Sequence, residues 1–246
     1  MKCPGQDMQY WKPDAIFEAK CPKCGSQVEF FKDDATRKCG NCGHRFINPG
    51  MDLGCAAYCP FAEQCIGNLP PELIAQRENL LKDRVAIEMK KYFKQDFKRI
   101  GHAMKVARYA ERIAKHEQDC NIAVILASAY LHDIGIHEAE RKYNSTVSKY
   151  QEQEGPPIAK AILTKLGANE NLINQVCDII SHHHHPKEHD NIDFKVLYDA
   201  DLIVNLEENQ QENSEKPFDK DKFNNIIEKS FLTKTGQIEA RKVLLK

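Results

Sequence analysis

The sequence lacks both a net charge and a long apolar run. Its 35 Lys and Arg residues nearly balance its 36 Asp and Glu residues, which leaves a formal charge of −1 at pH 7. This balance argues against a dedicated nucleic-acid binder or a protein of acidic membrane surfaces. The longest apolar stretch, Ile122 to Leu131, is far shorter than the roughly 20 residues that span a bilayer, and no basic segment followed by an apolar one begins the sequence. We therefore expect a soluble cytoplasmic protein.

Cysteine is scarce beyond residue 65 and abundant before it. Eight of the ten cysteines lie in the first 65 residues, whereas Cys120 and Cys177 fall within apolar helical patterns. Without a secretory signal, clustered thiols favour metal binding over disulfides, because cytosolic thiols stay reduced. We predict a cysteine-rich metal-binding region over residues 1–69 and a larger domain over residues 70–246.

Two Cys-x-x-Cys-Gly turns give the strongest cysteine signal. They read Cys21-Pro-Lys-Cys24-Gly and Cys39-Gly-Asn-Cys42-Gly, and together they complete a tetrahedral set of four thiolates. Between them, Gln27 to Phe31 has the composition of a strand. This pattern resembles a zinc ribbon over about residues 20–48, with a rubredoxin-like iron as the alternative metal. We expect a structural or docking role, because so short a segment folds on its metal.

A second cysteine cluster spans residues 55–65 and is less diagnostic. Cys55, Cys59 and Cys65 are its members, and Cys3 is a distant candidate for a fourth thiolate. Such a set fits an iron-sulfur cluster, a second zinc ion, or cysteines that bind no metal. The sequence leaves these three interpretations open.

From Glu72 onward, apolar residues recur at helical spacing and no convincing strand pattern is present. The stretch from Asn68 to Pro71 is the expected linker into this region. Gly101 and the Gly155-Pro-Pro157 segment are among the predicted helix boundaries, since glycine and proline interrupt helices. We predict an all-α bundle attached to the small cysteine-rich β region.

Five residues that favour metal chemistry fall on the inner faces or at the ends of these helices. His102 and His183 continue apolar stripes, and Asp201 lies on another. His132 and Asp133 follow the apolar helix that begins at Ile122. A carboxylate that faces a core is costly unless it is paired or bound to a metal. Each residue alone also fits an ordinary core or surface position, so the set matters more than its members.

In this order, His102, His132-Asp133 and Asp201 resemble the ligands of the HD-domain metal-dependent phosphohydrolase superfamily. The resemblance covers about residues 72–204. It is most specific at Leu131-His-Asp-Ile-Gly135, Ile180-Ser-His-His183 and Asp199-Ala-Asp-Leu202. It implies an all-helical HD domain in which those four residues ligate a divalent ion that binds phosphate and activates water. Two histidines and two carboxylates accept manganese, iron, cobalt, nickel or zinc.

Many members of this family hold a second metal ion with two further histidines. His183 matches one of those positions, but Gln151 occupies the other, and glutamine replaces a histidine ligand poorly. Two expectations follow. Either the site holds one ion, with His183 as a substrate ligand or proton donor, or the carboxylate of Glu152 or Glu154 replaces the missing histidine.

The resemblance also suggests catalytic roles. Asp133 would orient or deprotonate the attacking water, and His183 or His182 would protonate the leaving oxygen. Nearby basic residues are candidates for binding phosphates that do not react, with Lys142 the first choice. The others are Lys105, Arg108, Arg141 and Lys149.

The sequence thus predicts a metal-dependent phosphohydrolase whose substrate is a nucleotide or another small phosphate ester. It leaves open whether the ester is a monoester or a diester, and it predicts no membrane partner. One alternative is a nucleotide- or redox-sensing module without rapid turnover. Another is an HD-type di-iron oxygenase, with Cys55, Cys59 and Cys65 holding an electron-transfer cluster.

Overall fold

The computed structural model describes residues 16–32, 34, 36–50, 62, 71–212 and 220–245, with the backbone alone described for 71–79. The chain divides into two compact units, Met1–Arg77 and Glu78–Lys246. Among the described residues, each unit has a hydrophobic core of its own. The sequence boundary between residues 69 and 70 stays a prediction, because residues 63–70 lie outside the described part of the chain.

The described strands of the first unit form two antiparallel hairpins. Strand β1 (Ile16–Lys20) pairs with β2 (Gln27–Phe31), and β3 (Thr36–Lys38) pairs with β4 (Arg45–Ile47). The Phe30 side chain is fully buried, and its ring contacts those of Phe17 and Phe46. The strand predicted over Gln27 to Phe31 is confirmed.

The turns of the two hairpins share one backbone geometry. Gly25 N–H donates to the Cys21 carbonyl and Gly43 N–H to the Cys39 carbonyl, each over 2.9 Å. Both glycines have a positive φ, +74° and +71°, which residues with a Cβ rarely adopt. The glycine after each Cys-x-x-Cys pair is therefore what lets the turn close.

A helical region follows from Pro71, as predicted, and its residues from Glu78 onward belong to the second unit. Its elements in chain order are α1 (Pro71–Phe93), α2 (Phe97–Ala114), α3 (Ile122–Leu131), α4 (Ile136–Tyr143), α5 (Ser148–Lys165), α6 (Glu170–Ile180), α7 (Ile192–Glu212), α8 (Lys220–Ser230) and α9 (Lys234–Leu244). None of the helices in these described ranges is long and apolar enough to cross a membrane.

Helix α3 forms the centre of the helical unit. The Asn121 side chain caps its N-terminus by accepting hydrogen bonds from the N–H groups of Ala123 and Val124. Nearly every α3 residue is buried, and the helix packs against α2, α6 and α7. Its C-terminal end thus lies where side chains from three other helices converge.

Two predicted helix boundaries are wrong. Gly101 lies inside α2, because the Asp96 side chain caps that helix five residues earlier by accepting from Arg99 N–H. The Gly155-Pro-Pro157 segment lies inside α5. There Gly155 permits close packing, since a Cβ on it would come within 2.8 Å of Ile180 Cγ2 at the end of α6. The glycine marks a contact between chain segments and not a helix end.

Asp199 ties α7 to the start of α9. Its carboxylate accepts hydrogen bonds from Leu232 N–H, Thr233 N–H and the Thr233 hydroxyl, all within 2.8 Å. A Cβ on Gly236 would collide with this carboxylate at 2.2 Å. Asp199 is fully buried and therefore serves the packing of the helices.

Candidate metal centre

The first group of candidate ligands comprises His102, His132 and Asp201. His102 projects from α2, His132 follows the last residue of α3, and Asp201 projects from α7. His102 Nε2 lies 3.0 Å from Asp201 Oδ1 and 3.3 Å from His132 Nε2, and His132 Nε2 lies 3.5 Å from the same Asp201 oxygen. Packing of α2 and α7 against α3 thus brings three ligand atoms to one point.

A second group comprises Asp133, His183 and His184. Asp133 Oδ1 lies 3.7 Å from His183 Nε2, whereas Asp133 Oδ2 lies 3.4 Å from His132 Nε2 and 3.9 Å from His102 Nε2. The ligand atoms of this second group all lie within 4.8 Å of one another. Asp133 therefore stands between the two groups, with one carboxylate oxygen turned toward each.

The hydrogen bonds of the imidazoles decide which nitrogen of each ring faces the site. The Nδ1 atoms of His102, His132 and His183 contact Glu208 Oε2, the Ala129 carbonyl and the Ile180 carbonyl, over 3.2, 2.9 and 2.9 Å. A carboxylate or a carbonyl can only accept, so each Nδ1 carries a proton. The Nε2 atoms of all three rings are thus the ones available as metal ligands.

Opposite charges concentrate in this cluster. Burial disfavours charged forms, but Asp133 and Asp201 hold the pKa of His132 well above its usual value. Burial would also raise the pKa of Asp133, yet His132 and His183 hold it well below its ordinary value. The pKa of Asp201 is likewise low, because His102 and His132 outweigh its burial. Since ligands bind metals deprotonated, metal binding here would release protons.

This arrangement fits a divalent transition metal ion. His183 Nε2 is buried and has no hydrogen-bond partner among the described residues, which is costly unless another group completes its coordination. Burial lowers the pKa of His184, which favours the neutral imidazole that metals bind. Imidazole nitrogens and carboxylate oxygens together suit manganese, iron, cobalt, nickel or zinc.

Comparison with known proteins identifies the family of this helical region. Residues 99–217 match the family model described as HD domain. These residues form an HD domain. A solved structure from an uncultured Thermotogales bacterium, titled a predicted HD superfamily hydrolase, is similar: its sequence is 19% identical, the match covers 67% of this chain and 83% of that chain, and the TM-score is 0.46. No curated protein matches the sequence.

Glu154 and Glu152, the two carboxylates that could replace a histidine ligand of a second metal ion, make other contacts in the HD domain. Glu154 is bound by Lys142 Nζ at 2.6 Å and by the Tyr143 hydroxyl at 2.9 Å, and it joins neither ligand group. Glu152 Oε1 instead accepts from His184 N–H at 3.0 Å, and His185 Nδ1 lies 3.0 Å from its other oxygen. Glu152 thus supports the turn that presents His184.

His182 and Lys142, both candidates for catalysis, are engaged elsewhere. Both ring nitrogens of His182 are occupied, by the Asp178 carbonyl at 2.8 Å and by Asp190 Oδ1 at 2.9 Å. The ring also stacks on Phe194. His182 therefore packs the end of α6, and Lys142 pairs with Glu154 and Glu138. Of the other basic candidates, Lys105 binds Glu208 and Arg141 binds Glu138.

An open cleft of about 550 Å³ lies beside His102 and Asp133. Its wall includes Lys98 and Arg99, which the sequence analysis did not select. Further lining residues are Asp96, Ile136, Asn205, Glu208, Asn209 and Glu212. Several of the lining residues fall at helical spacing from His102 or Asp201. In the sequence, that spacing is the signal that indicates them. This volume is within the range of small-molecule sites.

The four cysteines of the first unit also form a compact group. Cys21 Sγ lies 3.6 Å from Cys42 Sγ, and Cys24 Sγ lies 3.6 Å from Cys39 Sγ, without disulfides among them. Sulfurs bound tetrahedrally at about 2.3 Å from one ion would lie about 3.8 Å apart. The group therefore fits a four-thiolate metal site.

Cys3, Cys55, Cys59 and Cys65 lie outside the described residues. An iron-sulfur cluster or second zinc ion there remains a sequence prediction.

Proposed function

We propose that the HD domain is a metal-dependent phosphohydrolase that acts on a small phosphate ester. The observation that carries this proposal is the pair of ligand groups that meet at Asp133, on the wall of an open cleft. The family match supports a hydrolase in general terms. The reaction class and the substrate are our inference from the site.

The residues divide into two binding sets. His102, His132 and Asp201 would hold one ion, His183 and His184 a second, and Asp133 would contact both. A divalent ion at this site polarises a phosphoryl oxygen and makes bound water more acidic. In this assignment His184 is the other histidine ligand of the second ion. The family resemblance places that ligand at the position of Gln151.

Asp133 and His183 have distinct roles in this proposal. Asp133 lines the cleft and its side chain is 20% exposed, so its carboxylate can accept a hydrogen bond from the attacking water and orient it. The His183 side chain is 1% exposed and its Nδ1 is committed to the Ile180 carbonyl. We therefore assign His183 to metal binding and not to protonation of the leaving group.

The charges of the cleft favour a phosphomonoester with an uncharged alcohol group. Among the described residues that line it, the two cations are already paired, Lys98 with Glu212 and Arg99 with Asp96 and Glu140. The described lining holds four carboxylates against these two cations, so the cleft carries an excess of negative charge even though each carboxylate has a partner. Additional phosphates beyond the one at the metal centre would face these carboxylates, and like charges repel.

A phosphate-release panel tests the proposal. The anaerobically purified protein is supplied with each divalent metal in turn and assayed on nucleoside monophosphates, diphosphates and triphosphates, on phosphodiesters and on small phosphate esters. We expect metal-dependent release from monoesters that Asp133→Ala abolishes. Arg141→Ala, at an exposed position outside the cleft, is the matched control and should retain activity.

Failure of the panel would redirect the assignment. No turnover with any metal would contradict the hydrolase. If the helical domain then held two irons and consumed oxygen, the oxygenase alternative would replace it. Tight nucleotide binding without turnover would instead favour the sensing module.

A further inference from the structure

Glu208 joins α7 to a metal-ligand histidine on α2. Its Oε2 accepts a hydrogen bond from His102 Nδ1–H at 3.2 Å, and its Oε1 pairs with Lys105 Nζ at 3.1 Å. Both oxygens of this carboxylate are thus committed. The two contacts lie within one turn of α2, since residues three apart share a helix face.

The spacing along α7 explains how Glu208 reaches His102. Asp201, Asn205 and Glu208 stand at i, i+4 and i+7, which places them on one face of the helix. Asn205 Nδ2 donates to Asp201 Oδ2 at 3.0 Å, which leaves Asp201 Oδ1 toward the histidines. The same face therefore supplies a ligand, a group that orients that ligand, and a carboxylate for His102.

We propose that Glu208 is a positioning residue for the metal centre and that Lys105 holds it in place. The hydrogen bond to Nδ1–H fixes the orientation of the His102 ring and keeps its Nε2 directed at the point between Asp201 and His132 where the ion would bind. A carboxylate in this position also makes the imidazole a stronger electron donor. Lys105, a candidate phosphate ligand from sequence, acts here through Glu208.

This inference rests on the proposed metal centre, but its test does not require hydrolysis. Isothermal titration calorimetry with Mn²⁺ alone measures the affinity of the helical site in full-length protein that keeps zinc on its four clustered cysteines. We expect Glu208→Ala to weaken binding by about 10- to 100-fold, as is typical when a residue that orients a ligand is lost. Glu208→Gln retains a hydrogen-bond acceptor without the charge and should lose less Mn²⁺ affinity than Glu208→Ala. Lys105→Met should also weaken Mn²⁺ binding.

Glu212→Gln is the matched control. Glu212 lies one turn beyond Glu208, lines the same cleft and pairs with Lys98, but its side chain is 64% exposed. The Mn²⁺ affinity of the Glu212→Gln variant should equal that of the wild type. An equal loss in Glu212→Gln would overturn the proposal, because general charge in the cleft would then set the affinity.

Unchanged affinity in the Glu208 variants would also overturn it. Thermal unfolding of the variants in the absence of Mn²⁺ checks that each is folded, and the near-isosteric Glu208→Gln carries the test if Glu208→Ala is not. A weaker metal affinity in a protein that hydrolyses no phosphate ester would uphold the role of Glu208 and refute the hydrolase. Intact hydrolysis in Glu208 variants with unchanged Mn²⁺ affinity would uphold the hydrolase and refute the role of Glu208.

Discussion

At the residue scale, His184 and His185 are neighbours with different surroundings. His184 belongs to the ligand group of Asp133 and His183, whereas the His185 side chain is 63% exposed and belongs to neither ligand group of the described residues. We expect His184→Ala to reduce the metal content of the helical domain from two ions to one. His185→Ala should leave that content unchanged. Metal analysis after dialysis against Mn²⁺ measures both, and equal contents in the two variants would refute a second ion held by His184.

At the element scale, the contact between α7 and α9 depends on Asp199. Burial raises the pKa of this carboxyl to about 6, although the hydrogen bonds from Leu232 and Thr233 lower it. The carboxyl is therefore largely ionised at pH 7 and accepts all three hydrogen bonds. Asp199→Ala would leave buried donors unpaired and should lower the free energy of unfolding by about 2 to 4 kcal/mol. Urea unfolding measures this change. The exposed Asp221→Ala, on α8, is the control, and equal stabilities would show that Asp199 does not stabilise the packing of α9.

At the scale of the whole molecule, the two units have separate cores and separate candidate metal sites. The core of the described hairpins is small, so its folding should depend on the four-thiolate metal. We expect Cys39→Ser to lose one zinc equivalent and the protection of β1–β4 amides from hydrogen exchange. Protection of α2 to α7 should persist. Cys120→Ser, in the helical unit, should retain the zinc, and equal zinc in both variants would refute the assignment.

Local sequence patterns were sufficient for the type of secondary structure in each region and for the types of ligand. The two Cys-x-x-Cys-Gly turns predicted the ribbon because each turn needs only its own residues and a glycine. Helical periodicity predicted the bundle, since apolar spacing is a local property. The glycine rule for helix ends failed at Gly101, because Asp96 caps that helix five residues earlier, and at Gly155, where the glycine permits close packing inside a helix.

The sequence by itself determined the residues that favour metal binding, namely the His102, His132-Asp133 and Asp201 motif and the Cys21 to Cys42 turns. Only the tertiary structure decided which other residues lie beside them. It brought His184 beside Asp133, paired the candidate cations with carboxylates, and placed Glu208 against His102. These contacts join residues up to about a hundred positions apart, and packing of helices around α3 creates them. No local pattern encodes such distances, because each depends on how the whole bundle closes.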